Sequence, residues 1–253
     1  MAFPLGWWSM RLAGFCFLLA VFALLAPATC FSQSAAYAAT PRNDSVVSVQ
    51  ELAMPHKAAR AFEKGTRLLI KGDFEASLPY FRTAIEQAPY SYRAYHNLGL
   101  ALARLGQLDA AEQDFQKSID LTGGGFAPSL FSFSMVLYQR GDFREAETLV
   151  RRGLLIAPGS GVGNYCLGLV QYSLGHISDA ERSAEEALKL NPVEADAHVL
   201  LARIHERQNN PYAVLVDIQS YLKLDPKGAL HADALDLLHR AQQDISGLSA
   251  SVN

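Results

Sequence analysis

One period runs through most of this chain and limits what it can fold into. Small residues recur at Gly65, Gly99, Ser134, Gly168 and Ala202, at steps of 34, 35, 34 and 34 residues. Seven residues after each stands a turn former: Gly72, Gly106, Gly141, Gly175 and Asn209. Five further on come Ser77, Ala111, Ala146, Ala180 and Val214, and four after those come Phe81, Phe115, Val150, Ala184 and Ile218. Each unit closes on Pro89, Gly123, Pro158, Pro192 or Pro226. A fixed period of this length marks a stacked array, in which each unit buries its apolar face against its neighbours.

Each unit reads as two helices. A glycine inside a helix costs about 1 kcal/mol, so the small column needs a packing reason, and close approach of the second helix supplies one. Gly72-Asp73, Gly141-Asp142 and Asn210-Pro211 break and restart the chain. Asp73 and Asp142 are N-cap types, and Pro211 suits a first turn. The closing prolines end the second helices. Pro79 falls inside one of them, where a kink is expected. No strand-like alternation of useful length occurs.

These columns resemble the tetratricopeptide repeat family, whose 34-residue unit carries a Leu-Gly pair, an Ala-x3-Phe and a closing Pro. The clearest matches are Leu98-Gly99 with Gly106, Ala111 and Phe115, and Leu167-Gly168 with Gly175, Ala180 and Pro192. The resemblance implies an all-α fold: an α-α superhelix of about five helix-turn-helix repeats at 58–91, 92–126, 127–160, 161–194 and 195–228. The family's first-helix aromatic survives as Tyr95, with Leu130, Asn164 and His198 in its column elsewhere. The second unit is one residue longer, at Gly123-Gly124-Gly125-Phe126, and the fifth is the most degenerate. Residues 229–247 follow with an apolar stripe of Leu230, Ala234, Leu237, Ala241 and Ile245, as in a helix that caps such an array. Residues 39–57 read as a linker and 248–253 as a tail.

The composition sharpens once the first 38 residues are set apart. The whole chain is 50% hydrophobic and 19% charged, yet residues 1–38 hold one charge, Arg11. After Arg11 comes an apolar run from Leu12 to Leu25, short for a bilayer and suited to the core of a secretory signal peptide. Ala36-Tyr37-Ala38 fits a cleavage site, with Ala26-Pro27-Ala28 as an earlier one. An uncleaved anchor and lipidation at Cys30 are the alternatives. All three place the repeats outside the cytoplasm, in a bacterial periplasm or on a membrane facing it. With Cys16 and Cys30 removed, Cys166 remains alone and no internal disulfide forms. A net charge of −3 gives no reason to expect nucleic acid.

The resemblance implies that first helices line a concave groove for peptides or partner helices. One face, taken at i, i+4 and i+7, gives Phe62, Thr66 and Leu69; His96, Leu100 and Ala103; Phe131, Met135 and Tyr138; Tyr165, Leu169 and Tyr172; Val199, Arg203 and Glu206. Aromatics stack across units three and four, Phe131 beside Tyr165 and Tyr138 beside Tyr172. Aromatic and Met residues favour interface centres. Arg93, Arg104, Arg203 and Arg207 stand near this face, where they could pair with acidic groups. Other residues already fill the packing columns (Leu137, Phe143 and Val150; Leu167, Leu174 and Ile177). The aromatic face is therefore either an open groove or buried within the superhelix. A clamp for a terminal carboxylate is disfavoured, since only Asn97 and Arg104 suit one.

Catalytic, metal and cofactor readings find little. Gly159-Ser160-Gly161-Val162-Gly163 and Gly123-Gly124-Gly125 follow helices and lack phosphate-loop spacing. His198 and His205 have no Cys or carboxylate at ligand spacing along the chain. Cys166 reads as a small packed residue. The expectation is a non-catalytic interaction scaffold of the cell envelope that binds a protein or peptide in its groove. The alternative is a structural or assembly subunit of an envelope complex (secretion, pilus, outer-membrane or polysaccharide export), contacting partners by its convex face or cap.

Overall fold

The computed structural model describes residues 54–251, so the proposed signal, its cleavage sites and Cys30 lie outside the described residues. The described chain is helical throughout: α1 His56–Ile70, α2 Phe74–Gln87, α3 Tyr92–Arg104, α4 Leu108–Leu121, α5 Ala127–Arg140, α6 Phe143–Ile156, α7 Gly161–Ser173, α8 Ile177–Leu190, α9 Ala195–Arg207, α10 Pro211–Leu224 and α11 His231–Ser251. Successive helices pair as hairpins and stack into a solenoid. Each odd-numbered helix also packs on the next odd-numbered one, while even-numbered helices do not pack closely on each other among the described residues. The array therefore curves, with the first helices of the pairs inside.

The columns explain this packing. Ser77, Ala111, Ala146, Ala180 and Val214 are buried, and so are Phe81, Phe115, Val150, Ala184 and Ile218 one turn later. These two columns form the face that each second helix turns to its partner. The small column serves the larger one. A Cβ placed on Gly65 would lie 2.8 Å from Phe81 Cε1, and one on Gly99 2.9 Å from Phe115 Cε1. Bare glycine is what lets these rings lie flat on the first helix.

Two glycines therefore separate packing from propensity. Gly99→Ala is expected to destabilise by about 1–2 kcal/mol, because forcing the buried Phe115 ring aside outweighs the helix gain. Gly247 lies exposed in α11 with open space around its Cβ direction. Gly247→Ala is expected to stabilise by up to about 1 kcal/mol. Urea unfolding of the two variants gives both signs.

The turns follow the sequence with one correction. Gly72, Gly106, Gly141 and Gly175 take φ between 74° and 87°, and Asn209 takes 55° as the non-glycine member of the column. Asn tolerates this left-handed region better than most residues. Gly123 and Gly124, both at positive φ, absorb the extra residue of the second unit. Asp73 and Asp142 stand at N-cap positions, yet neither side chain makes a capping bond. Ser91, Ser160 and Asn210 do, accepting from the amides of Ala94, Gly163 and Ala213. Pro211 begins α10 at its first turn. α2 continues through Pro79 as far as Gln87.

The apolar interior is divided. One cluster runs from Leu69 in α1 to Leu200, Leu201 and Ile204 in α9. A second joins the other side of α9, at Val199 and Ala202, to Ile218 and Tyr221 of α10 and to Leu230, Ala234 and Leu237. α9 is the seam between them.

Candidate functional site

The inner face of α1, α3, α5, α7 and α9 carries every residue expected in the groove, but at two depths. His96, Leu100, Phe131, Met135, Tyr165 and Leu169 are buried, each no more than 6% exposed. Phe62, Arg104, Tyr138, Tyr172 and Arg203 are half-buried, and Arg207 is exposed. The face at i, i+4 and i+7 spans too wide an arc to be all groove. Its deeper half turns toward the partner helix and the next unit.

Phe131 illustrates this. Its ring fills space left by two glycines, Gly153 of α6 and Gly163 of α7; a Cβ on Gly163 would come within 2.6 Å of its Cζ. It belongs to the core between units three and four. His96 is buried in the same way, its ring edge-on to Phe126 at 5.2 Å and tilted against Phe115 at 5.7 Å. Its Nδ1 lies 3.0 Å from Ser129 Oγ, which in turn bonds Ser118 Oγ at 2.8 Å. Burial lowers the His96 pKa to about 3, so this imidazole is neutral at ordinary pH.

The shallower residues form the accessible floor. Tyr138 packs 5.5 Å from the Phe143 ring, and Ser173 Oγ donates to its hydroxyl at 3.3 Å. Arg207 of the next unit lies 4.6 Å over the Tyr172 ring. Arg104 sits 4.9 Å over Phe74. Such cation–π contacts hold a guanidinium in place while leaving its N–H edge able to donate. Phe62 leans on Phe81, with centroids 6.2 Å apart.

Arg203 departs from its expected role. Its Nε and Nη2 donate to Asp233 Oδ2 at 3.0 and 2.6 Å, so its acidic partner comes from within the chain. Burial works against its charge, but Asp233, with Tyr165 and Tyr138 close by, more than offsets this and raises its pKa. Arg240 Nε likewise donates to Glu206 Oε1 at 2.6 Å. Asp233 and Arg240 both lie on α11, which was expected only as a cap. They stand one period after Val199 and Glu206 in the inner-face columns, so α11 continues that face as a sixth row. The period itself carried that signal.

His198 and His205, which have no carboxylate at ligand spacing along the chain, meet carboxylates of other helices. Asp217 of α10 receives both: His205 Nδ1 lies 2.7 Å from Oδ2 and His198 Nδ1 3.4 Å from Oδ1. Glu181 of α8 lies 3.4 Å from His205 Nε2. Sequence spacing could not find partners on other helices. No group of three or more His, Cys, Asp or Glu among the described residues could hold a metal ion. Cys166 is buried and unbridged, and burial, then Glu194, pushes its thiol pKa up, which disfavours the thiolate a nucleophile needs. No helix among the described residues is long and apolar enough to cross a membrane.

Comparison with known proteins agrees with this architecture. A family model described as tetratricopeptide repeat matches residues 62–126 and 165–212. A second model of the same description matches residues 134–152. The mouse (Mus musculus) protein named tetratricopeptide repeat protein 16 is 24% identical over 193 residues, which are 74% of this chain and 25% of that protein. The chain thus spans about a quarter of that relative's length. A thermophilic repeat protein from Thermus thermophilus superposes with a TM-score of 0.63 at 20% identity, over 74% of this chain and 98% of its own. The structure described as YrrB, a TPR protein with an unusual peptide-binding site, gives 0.50 at 16% identity, over 74% and 99%. At these identities the likeness shows the fold alone.

Proposed function

This chain belongs to the tetratricopeptide repeat family, a family of typically non-catalytic protein-interaction scaffolds, and from that premise we propose that its inner face binds a peptide or partner helix of another envelope protein. The observation that carries the proposal is the row Tyr138, Tyr172 and Arg207. These side chains lie on adjacent first helices: Tyr138 and Tyr172 are half-buried and pack against the main apolar core, and the exposed Arg207 lies over the Tyr172 ring. Partly desolvated Tyr and Arg on a rigid base are the residue types that dominate binding energy. The peptide-binding site in the description of the YrrB structure supports the same use of this fold.

Tyr138→Ala/Tyr172→Ala is the direct test. At about 2 kcal/mol per anchoring residue, the double variant is expected to lose partner retention from envelope extract by at least tenfold. Its circular dichroism should stay that of wild type, because neither ring is part of the buried core. Unchanged partners would sink the groove reading. They would favour the second reading, an assembly subunit that uses its outer face, for which Leu155, Tyr212 and Val216 stand exposed on second helices.

Export is part of the same proposal. It rests on Arg11, the apolar run from Leu12 to Leu25 and the Ala36-Tyr37-Ala38 site. Mass spectrometry of the protein from cells is expected to find a peptide starting at Ala39. Recovery of Trp7 or Trp8 in the mature protein would refute cleavage.

A further inference from the structure

Two polar clusters flank the seam at α9, and neither belongs to the inner face. The first joins three helices. His205 of α9 stands between Asp217 of α10, 2.7 Å from Nδ1, and Glu181 of α8, 3.4 Å from Nε2. Asp217 is buried and also meets His198. Gln208 Nε2 donates to the other oxygen of Glu181 at 2.7 Å. The described α7 presents no charged side chain, and the charges that α11 directs at α9, Asp233 and Arg240, meet Arg203 and Glu206 instead.

One side chain of α9 thus meets carboxylates of both neighbouring helices, α8 and α10.

The second cluster closes the far end of the same unit. Asp196, in the first turn of α9, is 5% exposed, and its Oδ2 has no hydrogen-bond partner. The charges around it are Glu194 just before α9 and Asp225 just after α10, with the buried Tyr221 of α10 beside them. From the α11 side, Asp233 is held by Arg203, and the Nδ1 of His231 is buried without a hydrogen-bond partner. Burial raises the Asp196 carboxyl to about 7, with Glu194 and Asp225 pushing the same way. No set of donors here suits a metal ion, which leaves the proton as the cation that fits.

We propose that α10 and α11 form a proton-gated module, closed on α9 at mildly acid pH and loosened as the pH rises. Acid removes a buried negative charge at Asp196, where the start of α9 meets the end of α10. The split of the apolar core along α9 marks where the loosening falls.

Peptide-resolved hydrogen exchange on the full chain, corrected for intrinsic rates, tests this at about pH 5.5 and about pH 8.5, either side of the raised Asp196 carboxyl. Protection in α10 and α11 is expected to be about tenfold higher at the acid pH, with α3 to α6 changing by less than about twofold. Asp196→Asn removes the buried charge and is expected to bring the α10–α11 ratio to about that of α3 to α6. An equal pH response in all helices would overturn the proposal. So would a ratio that survives in Asp196→Asn, or protection raised by added zinc at pH 8.5 in place of acid.

Discussion

Phe131→Ala is expected to destabilise the protein by about 3–5 kcal/mol, the range for emptying a buried aromatic site. The ring is 3% exposed and lies against Gly153 and Gly163, which have no side chains of their own to fill the gap. The cavity would open between units three and four. In a solenoid stability is close to a sum over units and their interfaces, so the loss should concentrate there. Urea unfolding is expected to show a lower midpoint, and hydrogen exchange should show α5 to α7 opening first. If Phe131 were instead an accessible groove residue, the variant would keep its midpoint and lose only partner affinity. That outcome would reverse the assignment of this residue to the core.

Asp196→Asn should act in the opposite direction at neutral and alkaline pH. A first-turn aspartate normally gains from the helix dipole, by about 0.3–1 kcal/mol. Here burial and the neighbouring Glu194 and Asp225 win, holding the carboxyl near 7. The folded state therefore binds this proton more tightly than the unfolded chain does. The resulting stability is fully present below the ordinary carboxyl range and is lost as the pH rises through about 7. A rise of about three pKa units corresponds to about 4 kcal/mol at most. The asparagine variant is expected to be the more stable protein at pH 8 and to lose the part of the slope between about pH 4 and pH 7 that the wild type owes to this group. Thermal melts across that range, taken as the difference between the two proteins, measure it. A variant less stable than wild type at pH 8 would show that the Asp196 charge is compensated.

The extent to which the site could be read from the sequence depended on what lay one period away. The Gly65–Phe81 and Gly99–Phe115 packing was readable because both partners belong to repeating columns. The turn at Asn209 was readable for the same reason. The extension of the inner face by Asp233 and Arg240 lay in those same columns but was hidden by the apolar stripe of α11, which marked it as a cap. The depth of each inner-face residue was not readable at all. Phe131 and Tyr138 are two turns apart on one helix, yet one fills a pocket made by two glycines of other helices and the other stays partly open. Helical spacing gives direction to within an arc; burial depends on what stands opposite.

The sequence by itself determined the class of fold, the number of units, the turns and the two core columns. Those properties come from local conformational preference and from a pattern repeated five times, so each unit restates the evidence of the others. Only the tertiary structure decided which half of the inner face is core, that Arg203 is already paired with Asp233, and that His205 stands between Asp217 and Glu181. These are contacts between helices tens of residues apart. Buried charges and shared protons depend on distance and dielectric at such contacts, which no spacing along a single chain encodes.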